Sequence, residues 1–363
     1  MNDPSAQSGQ PMRSHRGQHE ARQSEEPILQ RVAPALGLFF LAPLTAEYLI
    51  GYLPVTGNFV QMLVDLWIFA PLYGGAALII RETARRTGRG WPTMILLSIA
   101  FGIFQAGLID HSLFSPAYHG TADPTYIAVL GISGTTALAF IQGHVIWSIS
   151  APIAIVETFV SRWRTTPWLG RPGLAVTGIL YVLASAIIFR GTAEEDLFLP
   201  SMPQMIGTAV AVAALIGLAF SIRSRSGPPV DLPVPGPWIV GTVAFAALSV
   251  PTLIEVALVL LGASSAFMSN WHGVAQNLVL VGGLTALVWR WSQRRRWSTA
   301  HTLALAGGAL LTRAWIAFLV VPFGDVALYD KLISNTVFFI GVVLLIIAAA
   351  WKIRANAKEG ETV

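Results

Sequence analysis

Six polar side chains stand inside long apolar stretches of the sequence: Glu47, Asp65, Gln105, His144, Glu255 and Arg313. A charge at the centre of a membrane helix costs about 2.5–3.5 kcal/mol on insertion scales, so such residues face inward, pair, or do work. Glu and His can take up and release protons, whereas the guanidinium of Arg313 stays charged and needs a carboxylate or an anion. Spacing adds two residues to the set. Ser148 follows His144 by one helical turn and shares its face, and His272 stands in the same relation to Gln276. Residues of these types in apolar surroundings point to binding of a polar solute or to proton carriage.

Other chemistries find less support. His111, His144 and His272 with Asp110 or Glu47 are too dispersed for a metal motif, and there is no HExxH. No GxSxG elbow and no phosphate-binding GxxxxGK[ST] loop occurs. The chain has 0 Cys, which excludes a thiolate metal site, a cysteine nucleophile and a disulfide framework. No catalytic residue, metal or cofactor is assigned, and the reading leans away from an enzyme.

The elements that must position these residues follow from composition. The chain has 363 residues, 54% hydrophobic and only 12% charged, where a soluble domain carries about 25% charged residues. This describes a polytopic membrane protein. The net charge of +4 is spread between apolar stretches, as an orientation signal rather than a groove for nucleic acid. Ten stretches approach the length that crosses a bilayer, at about 33–54, 59–80, 92–112, 136–160, 172–189, 204–222, 238–262, 272–290, 299–321 and 332–352. With both termini inside, all but three of the 23 Lys and Arg residues fall on the inner side. The exceptions are Arg190 and Lys331 in outer loops and Arg313 within a span. The positive-inside rule thus supports an all-α polytopic bundle of about ten spans with N and C termini cytoplasmic. The setting is a bacterial cytoplasmic membrane and the partner is the lipid bilayer.

Residues 1–31 read as a disordered tail, 32–353 as the transmembrane domain and 354–363 as a second tail. A Pro-rich inner loop divides the domain into halves, 32–222 and 238–353. Gly131, Gly134, Thr135 and Thr136 interrupt the start of the fourth span, so 127–135 reads as an interfacial or re-entrant segment. Pro43, Pro71, Pro152 and Pro251 lie inside spans and free backbone carbonyls there. On this topology Glu47, Asp65, Gln105, His144, Glu255, His272 and Arg313 all fall in the outer half of the bilayer, while Glu157 lies near the inner end of its helix. The expectation is a polar cavity on the outer side, closed toward the cytoplasm by apolar packing.

Residues 82–157 resemble the CAAX-protease and bacteriocin-processing (CPBP) family of intramembrane proteases. Phe140-Ile-Gln-Gly-His144 fits that family's FxxxH motif. His272 to Asn277 approximates its third motif with one residue too many, and Glu82 with Arg86 fits ExxxR outside the apolar run. Where the family's glutamate pair is expected, the sequence reads Gln105-Ala106. The resemblance therefore implies a copy without the carboxylate that activates water. The chain also resembles uncharacterised multi-pass proteins of actinobacteria. Three functions remain open: a permease for a polar solute or protons, a scaffold with an unknown membrane partner, and a degenerate intramembrane hydrolase.

Overall fold

The computed structural model describes residues 28–118, 123–222, 230–262 and 270–361. Most of the expected N-terminal tail (1–27) and part of the Pro-rich loop (223–229) lie outside these residues. The described residues form ten apolar helices. Helix α1 runs Ile28–Pro43 and continues through Leu44–Tyr48. Then come α2 (Phe59–Arg86), α3 (Trp91–Ile109), α4 (Gly134–Phe159), α5 (Arg171–Glu195) and α6 (Met202–Ser221). The second half holds α7 (Pro237–Leu260), α8 (Trp271–Ser292), α9 (Thr299–Ile316) and α10 (Leu328–Glu361). Eight are long and apolar enough to cross a membrane. The other two are α1, which is shorter, and α9, whose apolarity is diluted by His301 and Arg313. The chain is an all-α polytopic membrane protein, and the helices lie where the apolar stretches place them.

Local chemistry sets the helix starts. Asn58 caps α2 by accepting the Gln61 N–H at 3.1 Å, and Ser133 caps α4 by accepting the Thr136 N–H at 3.1 Å. Proline occupies the first turn of α3, α5, α6 and α7, where its missing N–H costs nothing. The segment before α4 is a small antiparallel hairpin, Tyr126–Ile127 against Ile132–Ser133, which turns at Gly131 with φ of 68°. It pairs its own backbone groups, as non-helical chain beside hydrocarbon must.

Two apolar cores meet along α4. One gathers Leu38, Leu72, Ala77, Met94 and Ile153 from α1 to α4. The other joins Ala151, Ile155, Leu248, Leu310 and Val342 from α4, α7, α9 and α10. Without a hydrophobic drive between helices in lipid, close approach relies on small residues. A Cβ on Gly308 of α9 would meet the backbone of α7 at Gly241 and Phe245. About half of α2, α3 and α4 is buried, whereas α5, α6 and α8 expose most of their apolar length to the surrounding lipid.

Candidate functional site

Four of the described helices contain a widened π-helical turn, and these turns carry Glu47, Tyr73, Gln105, His144 and Ser148. In α1 it is Leu44–Tyr48, closed by the Leu49 N–H to the Leu44 carbonyl at 2.9 Å, and it holds Glu47. In α2 it is Ala70–Gly74, which holds Tyr73. In α3 it is Gln105–Ile109, closed by the Asp110 N–H to the Gln105 carbonyl at 2.9 Å. In α4 it is His144–Ser150. Pro43, Pro71 and Pro152 stand beside or within three of them, where a missing N–H and a ring clash favour widening. Single π-turns inside α-helices occur frequently at functional sites.

The four turns converge. The imidazole of His144 stacks on Tyr73 with centroids 5.9 Å apart and meets Phe101 edge-on at 5.4 Å. That packing needs Gly102, because a Cβ there would sit 3.3 Å from both the His144 Cβ and the Ile141 backbone. His144 Nδ1 bonds Ser148 at 3.3 Å. Thr45 donates to the Trp147 carbonyl at 2.7 Å and so ties the α1 turn to the α4 turn. Tyr52 donates to Glu47, and Tyr73 lies beside the same carboxylate. Arg313 of α9 enters from the other core. Its Nη2 donates to the Ala46 carbonyl at 3.2 Å, and its guanidinium lies 4.7 Å over the Trp147 ring. Glu47 lies within Coulombic range of Arg313, but no carboxylate among the described residues comes within ion-pair distance of it.

The cluster is incompletely satisfied. Gln105 Oε1, His144 Nε2 and Arg313 Nε are buried without a hydrogen-bond partner, and nearby Asn335 leaves its Oδ1 unpaired. Each such group costs about 1–3 kcal/mol unless something binds it. Arg313, Tyr52 and Asp110 are only half-buried, so water-sized groups reach the edge of the ring. Asp110 follows the α3 turn and accepts from Ser112 N at 3.0 Å and from Gln105 Nε2 at 3.3 Å. Burial pushes its carboxyl up to about 6, against the lowering effect of these hydrogen bonds.

Of the residues singled out in the sequence, Glu47, Gln105, His144, Ser148 and Arg313 are brought together. Asp65 instead accepts from Gln61 on its own helix at 2.8 Å and is half-buried. Glu255 is half-buried on α7, and His272 is exposed at the start of α8. Tyr52, Tyr73 and Trp147 join the ring without having been singled out. The signal that could have found Tyr73 is proline two residues before it within an apolar span. Among the described residues no group of three or more His, Asp or Glu side chains is placed to hold a metal ion.

A second polar cluster lies where the arginines gather, at the basic end of the bundle. Here every guanidinium nitrogen of Arg81 is matched. Arg81 gives Nε to Glu157 at 3.0 Å, Nη1 to Glu82 at 3.0 Å, and Nη2 to the carbonyls of Trp163, Arg164 and Thr166. Its guanidinium also lies 3.2 Å over the Trp168 ring. Glu82 accepts the Trp168 N–H at 2.7 Å and the Leu169 N–H at 3.2 Å. Arg85 grips both oxygens of Glu157. This network clamps the α4–α5 connection and reads as structural.

A family model matches residues 36–356 and carries the description of an uncharacterised membrane protein family. The chain belongs to that family. The match covers all ten helices in whole or in part and both polar clusters. No curated protein and no solved structure matches the chain.

Proposed function

We propose that this family member is a permease-like protein of a bacterial cytoplasmic membrane, with its basic end toward the cytoplasm. Glu47, Tyr52, Tyr73, Gln105, His144 and Arg313 form an occluded site for a small polar solute in the outer half of the bilayer. Glu47 and His144 serve as proton carriers, and Arg313 supplies the fixed charge. The observation that carries this reading is the coincidence of four π-turns with buried atoms left unpaired. A scaffold gains nothing from unpaired polar atoms, whereas a carrier needs donors and acceptors free for its cargo. Irregular backbone at the site also parallels the interrupted helices from which transporters build substrate sites.

The test is flux into proteoliposomes. A proton-sensitive dye and a panel of labelled polar solutes would compare wild type with Glu47→Gln and Arg313→Gln. The expected result is uptake of one solute class or of protons by wild type, reduced at least about tenfold in both variants. Wild-type flux equal to that of empty vesicles across the panel overturns the reading. The satisfied network around Arg81 favours a second reading, a scaffold, and that reading gains if folding and partner binding survive joint apolar replacement of Glu47 and Arg313.

A further inference from the structure

At the basic end, α2, α4 and α9 surround a cavity of about 190 Å3 that the proposed solute site does not use. Arg85, Arg164 and Glu157 line it, with the indoles of Trp91 and Trp297 as walls. Ser298, Thr299 and Thr302 line it at the start of α9, the Ser298 hydroxyl bonding His301 Nδ1 at 2.9 Å. Charge is unbalanced here. Among the described residues, Arg81, Arg85 and Arg86 share two carboxylates, Glu82 and Glu157. Arg164 donates to the Thr299 hydroxyl and adds a fourth guanidinium without a third carboxylate. Arg85 commits Nε and Nη2 to Glu157, and its Nη1 has no partner among the described residues. The start of α9 adds the positive end of a helix dipole.

We propose that this cavity binds a phosphate group. Two guanidiniums against one carboxylate leave the lining positive, which suits a phosphate, and forked guanidinium donors with adjacent hydroxyl residues match its oxygens. A cationic ligand would be repelled by the net positive lining. Indole walls suit a group entering from the level of lipid headgroups, where basic pockets between membrane helices hold anionic lipids. The same chemistry would accept a soluble phosphate, and the experiment separates the two sources.

The full chain, purified in a neutral detergent, would be followed by thermal unfolding at constant ionic strength. The ligands are inorganic phosphate, short-chain phosphatidylglycerol and short-chain phosphatidylcholine, whose choline offsets its phosphate charge. The expected result is a saturable rise in Tm with phosphate, phosphatidylglycerol or both. Arg164→Gln should raise the half-saturating concentration about tenfold. Thr302→Val, which touches no charge, should raise it a few-fold, and Arg162→Gln on the exposed surface should leave it unchanged. A response to phosphatidylglycerol alone assigns a lipid headgroup, and one to phosphate alone or to both assigns a site open to soluble phosphate. No saturable response to phosphate or to phosphatidylglycerol, equal saturable responses to the two lipids, or an unaltered Arg164→Gln overturns the proposal. Solute flux plays no part in this readout, so failure here leaves the solute site standing.

Discussion

The phenol of Tyr73 stacks on the imidazole of His144 at 26° between ring planes, with a π-turn under each ring. Stacking holds His144 Nδ1 toward Ser148 and leaves Nε2 unpaired in a buried position. His144→Phe keeps the ring and removes the unpaired nitrogen, so it should hold or raise Tm while abolishing flux. His144→Ala removes the ring as well and should lower stability by about 3 kcal/mol. Thermal unfolding and vesicle flux on the two variants check both halves. A loss of Tm in His144→Phe equal to that in His144→Ala would mean that the nitrogen itself stabilises the fold.

Glu157 is shared by Arg81 and Arg85 with nearly complete burial of all three side chains. Glu157→Gln leaves two buried guanidiniums short of a counter-charge and should cost about 3–5 kcal/mol, seen as lost yield of folded protein and a lower Tm. Glu194→Gln breaks the exposed pair with Arg190 and should leave Tm unchanged within error.

Asp110 gives a pH dependence with a definite sign. Its folded carboxyl titrates near 6, above the ordinary 3.8, so the folded state binds the extra proton between these values. Stability should therefore fall as pH rises from about 4 to about 6 and level off above, by on the order of 3 kcal/mol. Asp110→Asn should flatten that slope in Tm measured across the window. An identical slope in the variant would place the titration elsewhere.

Gly74 lies directly against the Phe39 backbone, closer than a Cβ permits. Gly74→Ala should push α1 from α2, cost about 1–3 kcal/mol and disturb the ring, read as a drop in Tm with loss of flux. Gly143→Ala, where nothing lies within 4 Å, is the matched control and should be silent in both.

The helices were legible because the length of an apolar run and the side on which arginine falls are one-dimensional properties. Depth is read along the chain in the same way, and on it Glu47, Gln105 and His144 were grouped from the sequence. Azimuth is not. Whether a residue at the right depth faces the ring depends on helix rotation, and a π-turn adds a residue to the turn and shifts every face beyond it. Asp65 and His272 were therefore grouped with residues they do not join, while Tyr52 and Tyr73 were not singled out. The hairpin before α4 was visible only as an interruption, since two-residue strands carry no periodicity of their own. The clamp around Arg81 was hidden for another reason: its backbone acceptors in the α4–α5 connection have no side-chain signature.

The reliance of Arg85 on Glu157 has a consequence for biogenesis. Glu157 is the only carboxylate that pairs with Arg85 among the described residues. A ribosome making this chain releases three helices before the acidic partner exists. Through that interval the end of α2 stays hydrated at the membrane surface, and it can settle only once the fourth helix has inserted. The order of synthesis thus imposes a checkpoint, and a chain truncated before residue 157 would be left as a substrate for membrane proteases.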